Sequence, residues 1–539
     1  MPRPRRADRL ALPAASGSFH YDRLSAQDAT FLDLERPHEP QHVAATVILR
    51  SGGLRTREGG IDAARIRAYV ASRLHLIPRY RQRLAVVPIE RHPVWVDDEH
   101  FQVEYHVRHT ALPRPGNARQ LKRLCGRILE QPLDRRRPLW ELWIVEGLEG
   151  GDRFAIVQKS HHAVIDGVSG VDLMAVLLRG APDDAFEPAP PWRPRRAPTR
   201  VELLDAELRR RADDVTRLVA SGPSALRAPL AFLSSLEEAV EAVAETLAAG
   251  LRSAPETPLN RPLGPHRSFD WLDMDLADVK RVKDRLGGTV NDVVLATAAG
   301  ALRRYLERRR LDVDRLRLRA NVPVSLRTRE QRGRLGNRIA LWMTPLPVDE
   351  PDPVARLARV RETTARLKAS RQALGAEVLA AVSDWTSSSL LSLAVRVSAR
   401  GRPYNVVVTN VPGPQIPLHL LSATVEACYP VVNLQPAQGL GLALFSYAGK
   451  LFWGFTADPE IVPDLAALPA LLAESFGELA EAALTAPLAT MQTPSAAGFP
   501  ATEGHPSTAR LPVVDADSRS SGSAHARADP RRPAAGGPS

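Results

Sequence analysis

His161-His162-Ala163-Val164-Ile165-Asp166-Gly167 places two imidazoles, a carboxylate and a glycine within seven residues. The run before it, Arg153-Phe154-Ala155-Ile156-Val157-Gln158-Lys159-Ser160, is apolar enough to predict a buried strand. Ser169-Gly170-Val171-Asp172 then offers a capping box for a helix continuing through Leu178. The histidines are therefore expected in a strand-to-helix loop, the kind of place where scaffolds present reactive groups. Gly167 and Gly170 would permit a tight or left-handed backbone there. A neutral imidazole, with an ordinary pKa of about 6.5, can take a proton from an alcohol near neutrality, so a histidine at such a strand end is a candidate general base. Asp166, four residues after His162, can fix its geometry. Zinc is disfavoured, because adjacent histidines on extended backbone point to opposite faces instead of sharing one side of a helix.

Outward from this stretch, 539 residues exceed what one hydrophobic core usually supports, and two large domains are expected. The hydrophobic content of 44% is that of an ordinary globular protein. No apolar run reaches the roughly 18 residues of a membrane span. The arginine-rich start has no apolar stretch behind it to act as a signal peptide, so a cytoplasmic location is expected. Cys125 and Cys428 match no metal-ligand or redox spacing and read as buried bystanders. A net charge of +11 favours polyanions: nucleic acid, anionic headgroups or a phosphate-bearing substrate such as a coenzyme A thioester. Arginine is spread along the whole chain and no nucleic-acid module is present, which sets nucleic acid aside.

The organisation reads as five segments. Residues 1–20 and 487–539 have the composition of disordered tails, the first of them basic. Residues 21–180 hold the histidine motif and a strand-like run at 42–49. Residues 181–257 form a connection, whose first part, from Ala181 to Arg200, has six prolines at 182, 188, 190, 191, 194 and 198 that exclude regular structure there. Two amphipathic helices are then predicted within 201–252, the first with a stripe through Leu204, Leu208, Val215 and Leu218. Such stripes pack on a domain or face a membrane surface, the former being commoner. Residues 258–486 alternate strand-like runs, at 316–324, 405–410, 441–447 and 451–455, with helical patterns at 291–306 and 463–484. The fold class expected is α/β.

The motif HHAVIDG resembles the HHxxxDG signature of the coenzyme A-dependent acyltransferase superfamily. Four further groups of residues narrow the resemblance: Pro138-Leu139-Trp140-Glu141 with Val145-Glu146-Gly147-Leu148; Asn291-Asp292-Val293-Val294-Leu295-Ala296; Val322-Pro323-Val324-Ser325-Leu326-Arg327 with Gly336-Asn337-Arg338; and Val408-Thr409-Asn410-Val411-Pro412-Gly413-Pro414. Together, and in this order, they are similar to the bacterial wax ester synthase/acyl-CoA:diacylglycerol acyltransferase family, over residues 21–484. The resemblance implies two chloramphenicol-acetyltransferase-like α/β domains with mixed sheets, joined by a long helical linker, with the active site in a tunnel between them.

It also implies roles. His162, the second histidine of the signature, would be the general base, taking the acceptor's hydroxyl proton as its oxygen attacks the thioester carbonyl, without an acyl-enzyme. His161 would shape the loop or assist. Asp166 would hold the loop, through a charge-assisted hydrogen bond to an arginine. Gly167 and Asn291 would line the substrate site. Asn291 suits two roles equally, an amide donor to the tetrahedral oxyanion or a helix N-cap. Arg327 would meet coenzyme A phosphate. Pro138 and Trp140 read as packing residues and Gly413 as a shaped turn near the domain junction.

No metal and no cofactor are expected beyond acyl-CoA as co-substrate. The partners implied are acyl-CoA, diacylglycerol or a long-chain alcohol, and the surface of a membrane's inner face or a lipid body, touched peripherally. Different acceptors within the superfamily, or a non-catalytic lipid-body protein, are the alternatives. One departure from the family stands beside the strand at 42–49, where Gln41 replaces a common methionine.

Overall fold

The computed structural model describes residues 19–165, 173–220, 254–325, 339–369 and 404–485. Asp166, Gly167, the Ser169–Asp172 cap, the second helix expected within 201–252, Arg327, residues 1–18 of the first tail and the whole of the second lie outside the described residues.

In the first half, β1 (Asp22–Arg23) leads into α1 (Ala26–Leu34) and β2 (His42–Arg50). They are followed by α2 (Ala63–Arg73), β3 (Gln82–Val86), β4 (Pro93–Asp97), α3 (Val103–His106), β5 (Val107–Ala111) and α4 (Ala118–Leu129). The half continues with β6 (Trp140–Leu148), β7 (Arg153–His161), α5 (His162–Ile165) and α6 (Leu173–Leu177), and α7 (Arg200–Ala220) lies beyond it. The second half contains β8 (Ser268–Asp275), α8 (Leu276–Leu286), α9 (Val290–Arg308), β9 (Leu318–Ser325), β10 (Ile339–Leu346) and α10 (Pro353–Ala369). It ends with β11 (Val406–Pro412), β12 (His419–Leu420), β13 (Ala423–Val431), β14 (Leu440–Tyr447), β15 (Lys450–Ala457) and α11 (Leu468–Thr485).

Two six-stranded mixed sheets carry the fold, in the orders β12-β13-β2-β7-β6-β5 and β10-β9-β11-β14-β15-β8. β5 runs parallel to β6, and β11 runs parallel to both β9 and β14; the remaining pairs are antiparallel. A smaller antiparallel sheet, β1-β4-β3, stands beside them. The α/β class with mixed sheets is therefore as expected. In the second half, α9 buries thirteen of its nineteen residues, so it forms the middle of a helix layer over Leu442, Leu444, Trp453 and Phe455.

β13 was not anticipated. It follows β11 in the chain yet pairs with β2 of the first sheet, Val425 opposite Leu49 and Val431 opposite Ala44. Its other edge pairs with β12 of the same sheet, and its side chains also meet the second sheet. The Tyr429 ring stacks on Trp271 at 4.7 Å and meets Phe452 edge-on at 5.4 Å. A Cβ on Gly454 would lie 1.8 Å from the Pro430 carbonyl oxygen, so only glycine lets β13 come this close to β15. The α4 helix makes a second close approach, where a Cβ on Gly126 would be 2.3 Å from the Arg267 carbonyl oxygen. Gly413, between its two prolines, is similarly forced, its missing Cβ falling 2.3 Å from the Phe445 ring.

The linker region is corrected in detail. Residues 181–199 contain no regular element, as the prolines require. In α7, however, Leu203 and Glu207 face inward, whereas Leu208 is 59% exposed. The reason is local: Leu203 packs with Val94 and Val96 of β4 and with Val87 just after β3, and Arg23 pairs with the buried Glu207 carboxylate. These two contacts set the rotation of the helix against the leucine stripe. Of the two cysteines, Cys125 is buried and Cys428 only half-buried.

Gly454→Ala and Gly126→Ala should each lower stability by about 1–3 kcal/mol, since backbone atoms must move to admit the methyl group. Gly477→Ala, with open space around the added carbon, should be neutral or slightly stabilising. Denaturant unfolding of the three variants checks the contrast; equal behaviour would contradict the close approach of β13 to β15.

Candidate functional site

The two histidines sit at the C-terminal end of β7, where the strand gives way to the single turn of α5. β7 is buried along nearly its whole length, including its polar residues. Lys159 resolves its charge by donating to the carbonyls of Ile128 and Gln131, both at 3.0 Å, and by pairing with Glu141 at 3.4 Å. This fastens β7 to the end of α4, where cations are favoured.

The Pro138-Leu139-Trp140 segment braces the strand end. The Leu139 carbonyl accepts the His161 N–H at 3.0 Å. Trp140 is fully buried, stacks on His106 at 4.7 Å and donates Nε1–H to the Tyr80 carbonyl at 2.8 Å. The Tyr80 hydroxyl in turn accepts the N–H of Leu173, the first residue of α6. One tryptophan thus steadies both sides of the histidine loop, the packing role expected from its place beside a proline.

His161 and His162 have different surroundings. His161 is fully buried and directly opposite His42 of β2. Its Nδ1 accepts the Ala163 N–H at 3.0 Å, which leaves the proton on Nε2. That nitrogen faces the Glu35 carboxylate at 3.7 Å, as does His42 Nε2 at 3.8 Å. Glu35 is neutralised by Arg135, whose Nε and Nη2 lie 2.9 and 2.7 Å from Oε2. His161 therefore caps the first turn of α5 and is enclosed by structural partners. Burial, with lesser contributions from His162 and Arg135, pulls its pKa down to about 3.

His162 is only half-buried by surface and its ring lies flat on Phe31, centroids 4.5 Å apart and planes 11° from parallel. Its backbone N–H donates to the Gln41 carbonyl at 2.9 Å. Desolvation lowers its pKa to about 4, partly opposed by a side-chain hydrogen bond with Asn433. The site thus holds a neutral imidazole with one edge tied to protein. Such a group is ready to accept a proton at neutral pH.

Asn291 falls in the first turn of α9, half-buried, and no hydrogen bond among the described residues joins it to the histidines. It is not the helix cap. Thr289 is, its hydroxyl accepting the Asp292 N–H while Asp292 Oδ2 accepts from the Thr289 N–H and hydroxyl, both at 2.8 Å. The T-x-x-D spacing carried that signal, and the cap belongs two residues before Asn291. Asp292 Oδ1 also takes a hydrogen bond from Thr364 of α10 at 2.7 Å, which makes it a buried structural acid.

Phe31, Glu35, Arg135 and Asn433 carry no local signal in the sequence that ties them to the histidines. Each reaches the histidines through packing between segments distant in the chain. Only Gln41 had been singled out, as a departure from the family pattern. Among the described residues, no group of three or more His, Cys, Asp or Glu side chains is arranged to hold a metal ion. Nor is any described helix long and apolar enough to cross a membrane.

The wax ester synthase/diacylglycerol acyltransferase catalytic domain matches residues 24–294, and the C-terminal domain of the same family matches residues 335–480. The chain belongs to this family. The Mycobacterium tuberculosis protein Rv1760, named as a diacylglycerol O-acyltransferase, is 35% identical over 480 residues, 88% of this chain and 93% of its own. A second protein of that organism, tgs2, carries the same activity in its name and is 36% identical over 476 residues, 86% of this chain and 99% of its own. Among solved structures, the wax ester synthase/diacylglycerol acyltransferase from Marinobacter aquaeolei VT8 superposes with a TM-score of 0.61 at 26% identity, covering 86% of this chain and 99% of that one. The starter condensation domain of rhizomide synthetase shares the fold at 15% identity, with a TM-score of 0.52 over 88% of this chain and 97% of its own. The two-domain, chloramphenicol-acetyltransferase-like fold is thus that of the family.

The lowered pKa values of His161 and His162 make stability depend on pH. A histidine whose folded pKa lies below its unfolded value of about 6.5 binds its proton first in the unfolded chain. Stability is then complete above about 6.5 and is lost as pH falls toward about 4 for His162 and about 3 for His161. Unfolding midpoints measured between pH 7 and 4.5 should fall, and His162→Gln should flatten the slope. An unchanged slope in that variant would count against a neutral, desolvated imidazole at this position.

Proposed function

We propose that this chain transfers a fatty acyl group from acyl-coenzyme A to the hydroxyl of diacylglycerol or of a long-chain alcohol, giving triacylglycerol or a wax ester. The observation that supports it most is His162: a neutral imidazole at the end of a buried strand, stacked on Phe31 and still half-open. His162 takes the acceptor's hydroxyl proton as the oxygen attacks the thioester carbonyl. A tetrahedral intermediate forms, the C–S bond breaks, and the imidazolium returns its proton to the departing coenzyme A thiolate. No acyl-enzyme and no metal are involved, and acyl-CoA is a co-substrate.

His161 serves by shaping α5. Asp166 and Gly167 hold and line the loop, Asn291 lines the substrate site, and Arg327 contributes to coenzyme A phosphate binding. Acceptor and acyl-CoA approach His162 along a tunnel between the two halves. Acceptors this apolar reside in lipid, so the chain works in the cytoplasm against a membrane's inner face or a lipid body, which a net charge of +11 favours.

Coenzyme A release with purified protein tests the base. His162→Ala should lower it by about 100-fold or more, whereas His161→Ala should cost less unless the loop collapses. Undiminished release in the His162 variant would remove the assignment. One acyl-CoA offered with diacylglycerol and hexadecanol in competition decides the acceptor. Flotation with anionic and neutral liposomes checks docking, and binding to neither would exclude it.

A further inference from the structure

Asn433 belongs to the second half of the chain but lies beside the histidine loop of the first. It follows the last residue of β13 by two positions, and that residue, Val431, is in register with Ala44. Continuing the same pairing brings Asn433 level with His42, whose partner on the other edge of β2 is His161.

Gln41 is what holds it there. Its side chain is fully buried, and Oε1 accepts from Asn433 Nδ2 at 2.9 Å and from Gln435 Nε2 at 3.3 Å. Its Nε2 donates to the Glu39 carbonyl at 3.2 Å. Turned over, the Gln41 amide would set its own N–H groups against two donors and its oxygen against a carbonyl, so the network fixes its orientation. One N–H of the Asn433 amide thus goes to Gln41, and its hydrogen bond with the His162 side chain favours the protonated ring, as an accepting carbonyl oxygen does. The Gln41 backbone carbonyl meanwhile accepts the His162 N–H at 2.9 Å. A single residue grips both the main chain of His162 and the amide against its ring.

We propose that Asn433, held by Gln41, is a positioning residue for the His162 base. Its carbonyl oxygen takes the N–H of one ring nitrogen and so leaves the lone pair of the other free for the acceptor hydroxyl. This rests on the reading of His162 as general base. When the proton is transferred, the same hydrogen bond becomes charge-assisted and steadies the imidazolium. An amide does this without the standing negative charge of a carboxylate, so the resting imidazole stays neutral and loses little of its readiness to accept. The Gln41 side chain acquires a function here that a methionine could not perform, because a thioether is too weak an acceptor to orient Asn433.

The test uses the full-length protein and acyl-CoA with its preferred acceptor. Asn433→Ala should lower kcat by about 10–100-fold with KM for acyl-CoA within about threefold, because the ring loses its tautomer while the substrate sites persist. Gln41→Met should give a smaller loss of the same kind. Asn433→Asp keeps the shape and the acceptor, at the cost of turning the Gln41 amide over; it should retain more activity than the alanine variant. It should also move the acidic limb of kcat/KM upward by at least one pH unit, since a carboxylate stabilises the imidazolium.

A merely structural role for Asn433 would lower the unfolding midpoint and leave that limb in place. An unmoved limb in Asn433→Asp, or kcat within twofold of the parent in Asn433→Ala, overturns the proposal. If Asn433→Ala does not fold, the pH profile of the isosteric Asp variant decides. The two readings are separable: activity surviving in His162→Ala defeats the general base itself, whereas a dead His162→Ala beside an unaffected Asn433 pair defeats only the positioning role.

Discussion

β2 is hydrogen-bonded along both edges, to β7 from His42 opposite His161 to Arg50 opposite Arg153, and to β13 from Ala44 opposite Val431 to Arg50 opposite Thr424. This double ladder is the constraint from which the site follows. One edge brings the histidine loop to the end of β2, and the other brings the segment after β13 to the same end. Because β13 comes from the second half of the chain, the site cannot be assembled by either half alone. The glycines at 454 and 126 are consequences of the same arrangement, since the two sheets must approach at backbone distance where β13 and α4 meet β15 and β8.

At the site itself two effects oppose each other. Desolvation favours the uncharged imidazole, and the hydrogen bond to Asn433 favours the charged one. Desolvation is the larger, so His162 is held in the form that accepts protons. Its affinity for them is reduced, yet in general-base catalysis the proton moves as the C–O bond forms, when negative charge is already developing nearby. His161, with Glu35 and Arg135 on its far side, is under the same pressure but has both nitrogens turned toward protein. The identical residues of the motif thus separate into one that builds the loop and one that faces outward from it.

Much of this was legible in the sequence. The strands at 42–50, 153–161, 406–412, 440–447 and 450–457 follow from their apolar runs, and the prolines between 182 and 198 mark a stretch without regular elements. β13 was legible in part: Ala423, Val425, Ala427, Tyr429 and Val431 alternate with more accessible residues at the period of a strand. What no local pattern could give is its partner, because pairing with β2 joins residues nearly four hundred positions apart. Asn433, and the hold that Gln41 has on it, were hidden for the same reason. The capping of α9 shows a different failure: Asn291 was read as a candidate cap although the Thr289-x-x-Asp292 spacing two residues earlier marked the true one.

The central claim is that His162 is kept neutral and desolvated so that it can serve as the base. Nitrogen-15 spectra of the imidazoles, recorded from pH 7.5 to 4 and assigned through the His162→Gln variant, test it most directly. The His162 resonances should remain those of a single neutral tautomer until the pH approaches about 4. Titration of that ring near the ordinary value of about 6.5, or an equal mixture of tautomers at neutrality, would contradict the account.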